Sequence, residues 1–410
     1  MNRLLSAQGG DVTSWRAAEN FAFNYRQTML ELAASGEYGT AEELFMQTYA
    51  ELDNKILAHR RMISELEQII EKSAGVTLTE LAYLNDSFYK LLYRHFELFN
   101  STSAFYQLSI SFLVKATESI ISNVIDNTSS STPGISDISI IALGPAGRAE
   151  YSPYCSLQLI MVHGEVLPSQ QEEFNNFCAL LHNGFESAGF NIDPLVTPRN
   201  ADWRGTPAEW QNRCLEGLEK NEKEELINLC RLIDQYPLYN PVMFADKFKQ
   251  SIQSIISNRA PAVSNLIERM AALPSGISLI GKLKLERSGS EQGRFRLLDY
   301  GLLPFSAALS VLSVITGNLP NGSSERISTL LKLGRVDVEL AERMLNSWHT
   351  LHGLRLSLEL SALESGERSC QLCLDPRQLS DQLLQLFTEA LESVAVIKRH
   401  VGIIYSGLEA

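Results

Sequence analysis

Cysteine is sparse and scattered: Cys155, Cys178, Cys214, Cys230, Cys370 and Cys373 are spread over a 410-residue chain. That spacing excludes the dense disulfide framework of a small secreted domain and fits reduced thiols in a cytoplasm. Basic residues are short as well, 35 against 48 acidic ones, and the resulting net charge of −13 repels a phosphate backbone, so nucleic acid is not an expected partner. Long apolar runs are also lacking. No stretch of about 20 apolar residues stands out, and the first residues, MNRLLSAQGGDVTSW, have no continuous apolar core of a signal peptide. Neither a membrane span nor secretion is therefore expected, and the expected location is the cytoplasm. A Gly-rich loop closing on Lys is missing, which leaves the serines Ser129 to Ser131 as linker and not as a phosphate cradle.

What is present is ordinary globular material, 45% hydrophobic and 20% charged, in a chain too long for one common core, so two or three domains are expected. From Asp11 to Asn127 apolar residues recur at three- and four-residue spacing, most clearly over residues 41–72, 78–100 and 105–127, which predicts an antiparallel helical array. The polar run from Asn127 to Gly134 ends in Pro-Gly and marks a boundary. Beyond it the period changes. Residues 137–144 and 156–164 are short and rich in Ile, Leu and Val, residues 170–189 are helical with a terminal Gly, and 190–196 read as another strand. Helix returns from Pro207 to Arg231 and from Pro241 to Leu273. Residues 278–287 and 293–300 read as a hairpin across a Gly/Ser turn, and the remainder as a helical bundle. The expected fold is α+β and predominantly helical, a small mixed sheet flanked by an N-terminal helical array and a C-terminal bundle. The corresponding domains are 1–133, 134–240 and 241–410. No repeat or heptad run sets an oligomeric state.

The segment Gly144-Pro-Ala-Gly-Arg-Ala-Glu-Tyr-Ser-Pro-Tyr-Cys-Ser-Leu-Gln158 resembles the signature loop of the nucleotidyltransferases, in which Gly-Ser-x-x-Arg-x-Glu leads into a strand bearing Asp-x-Asp. Carboxylates at i and i+2 of a strand point to one face and can jointly hold two divalent metals, while the Gly-rich turn offers backbone N–H groups to a triphosphate. The chain is similar in particular to the nucleotidyltransferase family related to the N-terminal region of protein-PII uridylyltransferase. Trp203 and Trp210 match that family's paired tryptophans, and Asp234-Gln-Tyr-Pro-Leu-Tyr-Asn240 resembles its Asp-x-Arg-Pro-Val-x-Gly segment. Asp299 to Pro304, Ser324-Glu-Arg326, Leu333-Gly334 and Leu354-Arg355-Leu356 follow in the order of its substrate-binding domain.

The resemblance implies nucleotide contacts at Gly144, Gly147, Arg148 and Glu150. It also locates departures. Pro145 replaces a serine, and Ser156 and Gln158 stand at the two aspartate positions, neither carrying the charged oxygen that hard cations require. Asp234 is the one remaining catalytic carboxylate if activity survives, and Tyr236 replaces the following Arg. Arg148 and Glu150 also have a plain structural reading, in which they pair with neighbouring helices and hold the loop. The expected function is that of a degenerate, signalling or regulatory nucleotidyltransferase-like protein, a pseudoenzyme that binds an NTP or a protein partner. The alternatives are an active uridylyltransferase-like enzyme using Mg2+ and NTP, with Glu150, Asp234 and Asp193 as substitute ligands, and an inert scaffold.

Other groups have blander readings. Cys370 and Cys373 have half a zinc spacing, which His349 and His352 would complete, but a coincidental loop pair is expected. His349 and His352 otherwise read as packed helix residues. Cys155 has no sequence-adjacent base and reads as an inert thiol. Lys282, Lys284, Arg287, Arg294 and Arg296 make the expected hairpin basic, as a solvated strand edge often is.

Overall fold

The computed structural model describes residues 38–128, 137–220, 228, 231–240, 244–257, 260–278, 281–317 and 320–408. The expected boundary at 127–134 lies largely outside them, as does everything before residue 38.

The first helices follow the predicted periods closely. α1 is Tyr38–Lys72, α2 is Leu78–Phe99 and α3 is Thr102–Asn127. Thr77 and Glu80 form a reciprocal capping box that satisfies the first N–H groups of α2, and Asn100, in the left-handed region at φ 48°, ends it. Leu81, Phe88, Leu92 and Phe96 recur on its buried face. α3 packs on α2, and a stacked Phe88–Phe112 pair with centroids 4.3 Å apart lies in their seam.

The sheet has the order β3-β2-β1-β4 and is mixed. β1 (Ile138–Leu143) pairs antiparallel with β2 (Gln158–His163) and with β4 (Gln235–Tyr239), and β2 pairs parallel with β3 (Arg204–Gly205). β1 is buried along its whole length, as a central strand covered on both faces must be. Its last residue, Leu143, is in register with Gln158 on one side and Gln235 on the other. The chain leaving β1 thus enters the space where β2 and β4 both begin.

α4 (Gln171–Ser187) packs on α3, and α5 (Pro207–Lys220) on α6 (Asp246–Ser257). After α7 (Ala260–Ala272) come α8 (Leu303–Ile315), α9 (Ser323–Lys332), α10 (Val338–Glu364) and α11 (Asp381–Leu408), a bundle in which α10 packs on α11 and α8 on α11. α10 also touches α2 and α3, tying the bundle to the N-terminal array. The fold is a predominantly helical α+β protein with one small mixed sheet.

Three expectations about strands are corrected. Residues 190–196 contribute a single parallel bridge, Ile192 to Leu157, because the Asp193 turn redirects the chain at once, and β3 takes the place beside β2. Residues 278–287 do not pair as a strand with 293–300. Glu286 closes a turn with Gly293 and Arg294, and β5 (Phe295–Arg296) pairs instead with β6 (Cys373–Leu374). Cys373 is therefore a strand residue. β4, a register partner of β1, was not expected as a strand, since Pro237 interrupts it, and the register shifts between Ile140 and Ile141. Two segments, Thr102–Asp126 and Leu298–Ile315, are long and apolar enough to cross a bilayer by length and composition. Most of each is buried against the rest of the protein, 56% and 67% of the respective windows.

Candidate functional site

The signature loop starts with one helical turn, Gly144–Gly147. Pro145 sits at its second position, still within the first turn where a missing N–H costs nothing, and its carbonyl accepts from Glu150 N at 2.8 Å. Gly144 has φ +60°, and a Cβ there would lie 3.1 Å from Gln158 Oε1, so the Gln158 side chain covers the turn. Gly147 is more tightly held: a Cβ would fall 2.1 Å from the Asp234 carbonyl oxygen, so only glycine lets the turn lie on the start of β4. Ala149 adopts φ +57°, a conformation disfavoured for any residue with a side chain, and swings Arg148 and Glu150 into position.

Those two residues turn inward. Arg148 donates from Nε to Glu150 Oε2 at 2.8 Å and from Nη1 to Asp234 Oδ2 at 2.7 Å. The other Asp234 oxygen, Oδ1, accepts from Arg326 Nη1 at 2.6 Å and from Ser310 Oγ at 2.7 Å. Arg326 is fully buried, and its Nε donates to the Pro320 carbonyl at 2.9 Å. Glu150 Oε1 accepts from Ser323 Oγ at 2.5 Å and from Trp348 Nε1 at 2.8 Å. Burial opposes charge on Asp234, but the guanidiniums of Arg326 and Arg148 outweigh it and hold its carboxyl below the usual range. Burial likewise opposes charge on Glu150. His352 first, then Arg148 and the Ser323 and Trp348 donors, outweigh it and bring the carboxyl down to about 2.

His352 completes this cluster. Its Nδ1 is bonded to Tyr106 OH at 2.9 Å, and its Nε2 lies 3.5 Å from Glu150 Oε1. Burial pulls its pKa down to about 3, so at neutral pH the ring is uncharged and its contact with Glu150 is dipolar. Arg148 carries the compensating charge. One and two turns beyond, Arg355 donates from Nη2 to Ser152 Oγ at 2.7 Å and from Nε to Glu359 at 2.8 Å, and it also meets the Cys155 sulfur. Glu359 accepts from Tyr93 OH at 2.8 Å. Trp348, His352, Arg355 and Glu359 recur every three or four residues of α10, so one helix face carries the bundle's grip on the loop.

The positions expected to bear metal ligands differ in kind. Ser156 is exposed, and Gln158 Nε2 donates to Asp193 Oδ2 at 3.1 Å. Asp193 Oδ1 accepts from the backbone N–H groups of Leu195 and Val196 at 2.9 and 3.0 Å. The amide therefore presents N–H to the Asp193 carboxylate. Glu150, Asp234 and Asp193 do not gather: the first two converge on Arg148, while Asp193 belongs to the Gln158 side. Among the described residues no three His, Cys, Asp or Glu side chains are grouped so as to hold a metal ion. This donor set does not fit a pair of hard divalent cations.

Beside Asp193 a cleft of about 460 Å3 opens, lined by Val196, Trp203, Trp210, Arg213, Lys220 and Arg231. The two indoles lie 6.4 Å apart, and Arg213 sits 5.1 Å over the Trp210 ring. A larger groove of about 790 Å3 lies between α10 and α11, with Glu339, Glu342, Glu389 and Glu392 against the single cation Arg343 in its lining.

The fold brings together Gly144, Gly147, Arg148, Glu150 and Asp234, the residues expected from the family loop. Cys155 has no cationic neighbour in sequence, whereas Arg355 arrives from 200 positions away. No role was expected of Arg326, Ser310, Ser323, Trp348 or Glu359. The readable signal was the polar stripe on α10, which an otherwise apolar buried helix has no reason to carry without partners. Of the basic residues near the expected hairpin, Arg294 pairs with Glu291 at 3.1 Å, Arg296 with Asp299 at 2.5 Å, and Lys284 lies over the Tyr300 ring at 4.5 Å.

Comparison with curated proteins gives no match. Two family profiles do match: residues 87–224 fit the one described as "Putative nucleotidyltransferase DUF294", and residues 261–405 the one described as "Putative nucleotidyltransferase substrate binding domain". The first covers the loop, the sheet up to β3 and the tryptophan pair, and the second covers Arg326 and the α10 stripe. The chain belongs to the nucleotidyltransferase family that carries a C-terminal substrate-binding domain.

Proposed function

We propose that this protein is a nucleotidyltransferase-fold binding protein that has given up metal-dependent transfer and serves as a signalling or regulatory module, in effect a pseudoenzyme. One observation carries the proposal: where two aspartates would hold metals stand Ser156 and Gln158, with the Gln158 amide spent on Asp193. The remaining loop carboxylates support it, since Glu150 and Asp234 are saturated by arginines and hydroxyls. Their work is to join the loop to α8, α9 and α10, so the proposed division at about residues 134 and 241 is one of modules held by a buried polar seam.

A nucleotide is the favoured ligand. The cleft beside Asp193 falls within the roughly 300–1,000 Å3 of small-molecule sites, and it combines indole edges with Arg213, Lys220 and Arg231. Phosphate charge would be met there by side chains without a metal ion. The acidic groove between α10 and α11 supports a protein partner as the second reading. The proposal includes a cytoplasmic setting, supported by the unpaired state of Cys155, Cys178, Cys214, Cys370 and Cys373.

The test is incorporation of label from α-labelled UTP or ATP into protein or nucleotide acceptors with Mg2+ present. No incorporation is expected. Mg2+-dependent incorporation would overturn the proposal, and an inert scaffold would be indicated by failure to bind either nucleotide while a protein partner is recovered.

A further inference from the structure

Two histidines face each other across the α1–α2 pair, apart from the side chains that hold the signature loop. His95 lies on the buried face of α2, is 0% exposed, and has neither ring nitrogen hydrogen-bonded. A neutral imidazole always carries one N–H donor and one lone pair, and burying both without partners is a cost that folded proteins rarely accept. His59, half-buried on α1, stands next to it with ring centroids 4.9 Å apart and planes tilted by 53°. Phe99 closes the third side, 5.0 Å from His59 and 4.9 Å from His95.

The separation lies within the ordinary range of packed rings and also leaves room for both to reach one metal ion. With metal–nitrogen bonds of about 2.0–2.1 Å and ring centres about 1.2 Å beyond the nitrogens, rings 4.9 Å apart subtend roughly 100° at the ion. That angle suits tetrahedral or tetragonal coordination. A half-turn of either ring about χ2 exchanges nitrogen for carbon within the same volume, so a lone pair can be turned inward without repacking Phe99.

We propose that His59 and His95 form a two-histidine site for a borderline transition-metal dication of the Zn2+, Ni2+ or Cu2+ class. Imidazole suits these ions, and solvent on the half-exposed His59 side supplies the remaining ligands. Neutral rings are the metal-binding form, and both are kept neutral: burial brings His95 down to about 4, and burial, aided by Arg60, lowers His59. Arg60 opposes a dication, which sets this site below a three-ligand centre in affinity. A bound ion would clip α1 to α2 and give one orphaned nitrogen of His95 a partner.

The experiment titrates Ni2+ alone, chosen because it prefers imidazole to the chain's thiols, into the metal-free full-length protein. Calorimetry should give one ion per chain, and the thermal midpoint should rise with Ni2+. His59→Ala, at a half-exposed helix position, should keep the fold and weaken this binding at least tenfold, and His59→Gln should do the same. Cys370→Ser with Cys373→Ser should leave it unchanged. Absence of Ni2+ binding by the unmodified chain, or equal affinity and stoichiometry in both His59 variants, would show that the two rings are packed against each other for their apolar surface only.

Discussion

Arg326 Nη1 and Asp234 Oδ1, 92 positions apart in the chain, meet at 2.6 Å inside the protein. The carboxylate that the family pattern marks as the surviving candidate for catalysis is thereby a joint between β4 and the C-terminal helices. Its other oxygen is held by Arg148 at 2.7 Å, so one aspartate bridges two arginines from two parts of the chain. Breaking a buried ion pair from one side leaves an uncompensated charge in a low-dielectric interior, which is far costlier than the net worth of the pair.

Asp234→Asn should therefore act on stability before it acts on any chemistry. We expect a loss of about 3–5 kcal/mol in urea denaturation, since both guanidiniums lose their common anion. A loss below about 1 kcal/mol, the range of exposed pairs, would mean that the seam does not hold the fold.

Gly147 and Gly353 make a matched pair of glycine tests. At Gly147 an added Cβ meets the Asp234 backbone oxygen at 2.1 Å, so Gly147→Ala should cost about 1–3 kcal/mol or more as the turn is pushed off β4. At Gly353, inside α10, the nearest atom is Thr102 Oγ1 at 3.7 Å, an ordinary contact. Gly353→Ala should stabilise by about 0.5–1 kcal/mol through helix propensity. Thermal melts of the two variants should move in opposite directions.

Placing aspartates at the two family positions tests whether Ser156 and Gln158 are what keeps metal away from the loop. Ser156→Asp with Gln158→Asp would replace the Gln158–Asp193 hydrogen bond by like charges, and we expect a loss of about 1–2 kcal/mol in chelator. If β2 still presents the ancestral face, Mg2+ should restore much of that loss in the double variant and none in the original chain. Equal Mg2+ response in both would place the metal elsewhere.

Stability should fall in acid earlier than carboxylates alone would cause. His352 and His95 are held to about 3 and about 4 by burial, while in the unfolded chain a histidine titrates near 6.5. Below about pH 6.5 the unfolded state therefore binds protons that the native state refuses. Stability drops as pH falls, by up to about 1.4 kcal/mol per pH unit for each ring. The depressed carboxyls of Glu150 and Asp234 add a second loss only below about pH 4, where the unfolded groups protonate. Urea midpoints should change little between pH 7.5 and 6.5 and fall steadily from 6.5 to 5, and His95→Phe should flatten the slope. A flat wild-type profile over that range would contradict the burial of neutral rings.

Periodicity was enough to read α1 to α4 and the two central strands, because their apolar residues alternate or recur with a single clear period. β4 was hidden by Pro237 and by a register shift, and β5 and β6 are two residues long, too short for any period to show. The loop glycines and charges were legible as a motif, yet their partners were not. Arg326, Trp348 and Arg355 lie 92 to 205 positions from Asp234 and Glu150, which they bind, and local spacing says nothing about such pairings. What the sequence did carry was a charge on each side of the seam, and buried charges need partners wherever those come from. The bland reading of Arg148 and Glu150 as loop-holding residues agrees with their hydrogen bonds.

On the proposed reading the fold binds nucleotide without metal-dependent transfer. Calorimetric titration of UTP and ATP into the protein, with and without Mg2+, tests it most directly. Binding of equal strength in both conditions, weakened by Arg213→Ala or Arg231→Ala at the cleft, is the predicted result. Nucleotide binding that requires Mg2+, in the chain as it stands with Ser156 and Gln158, would contradict it.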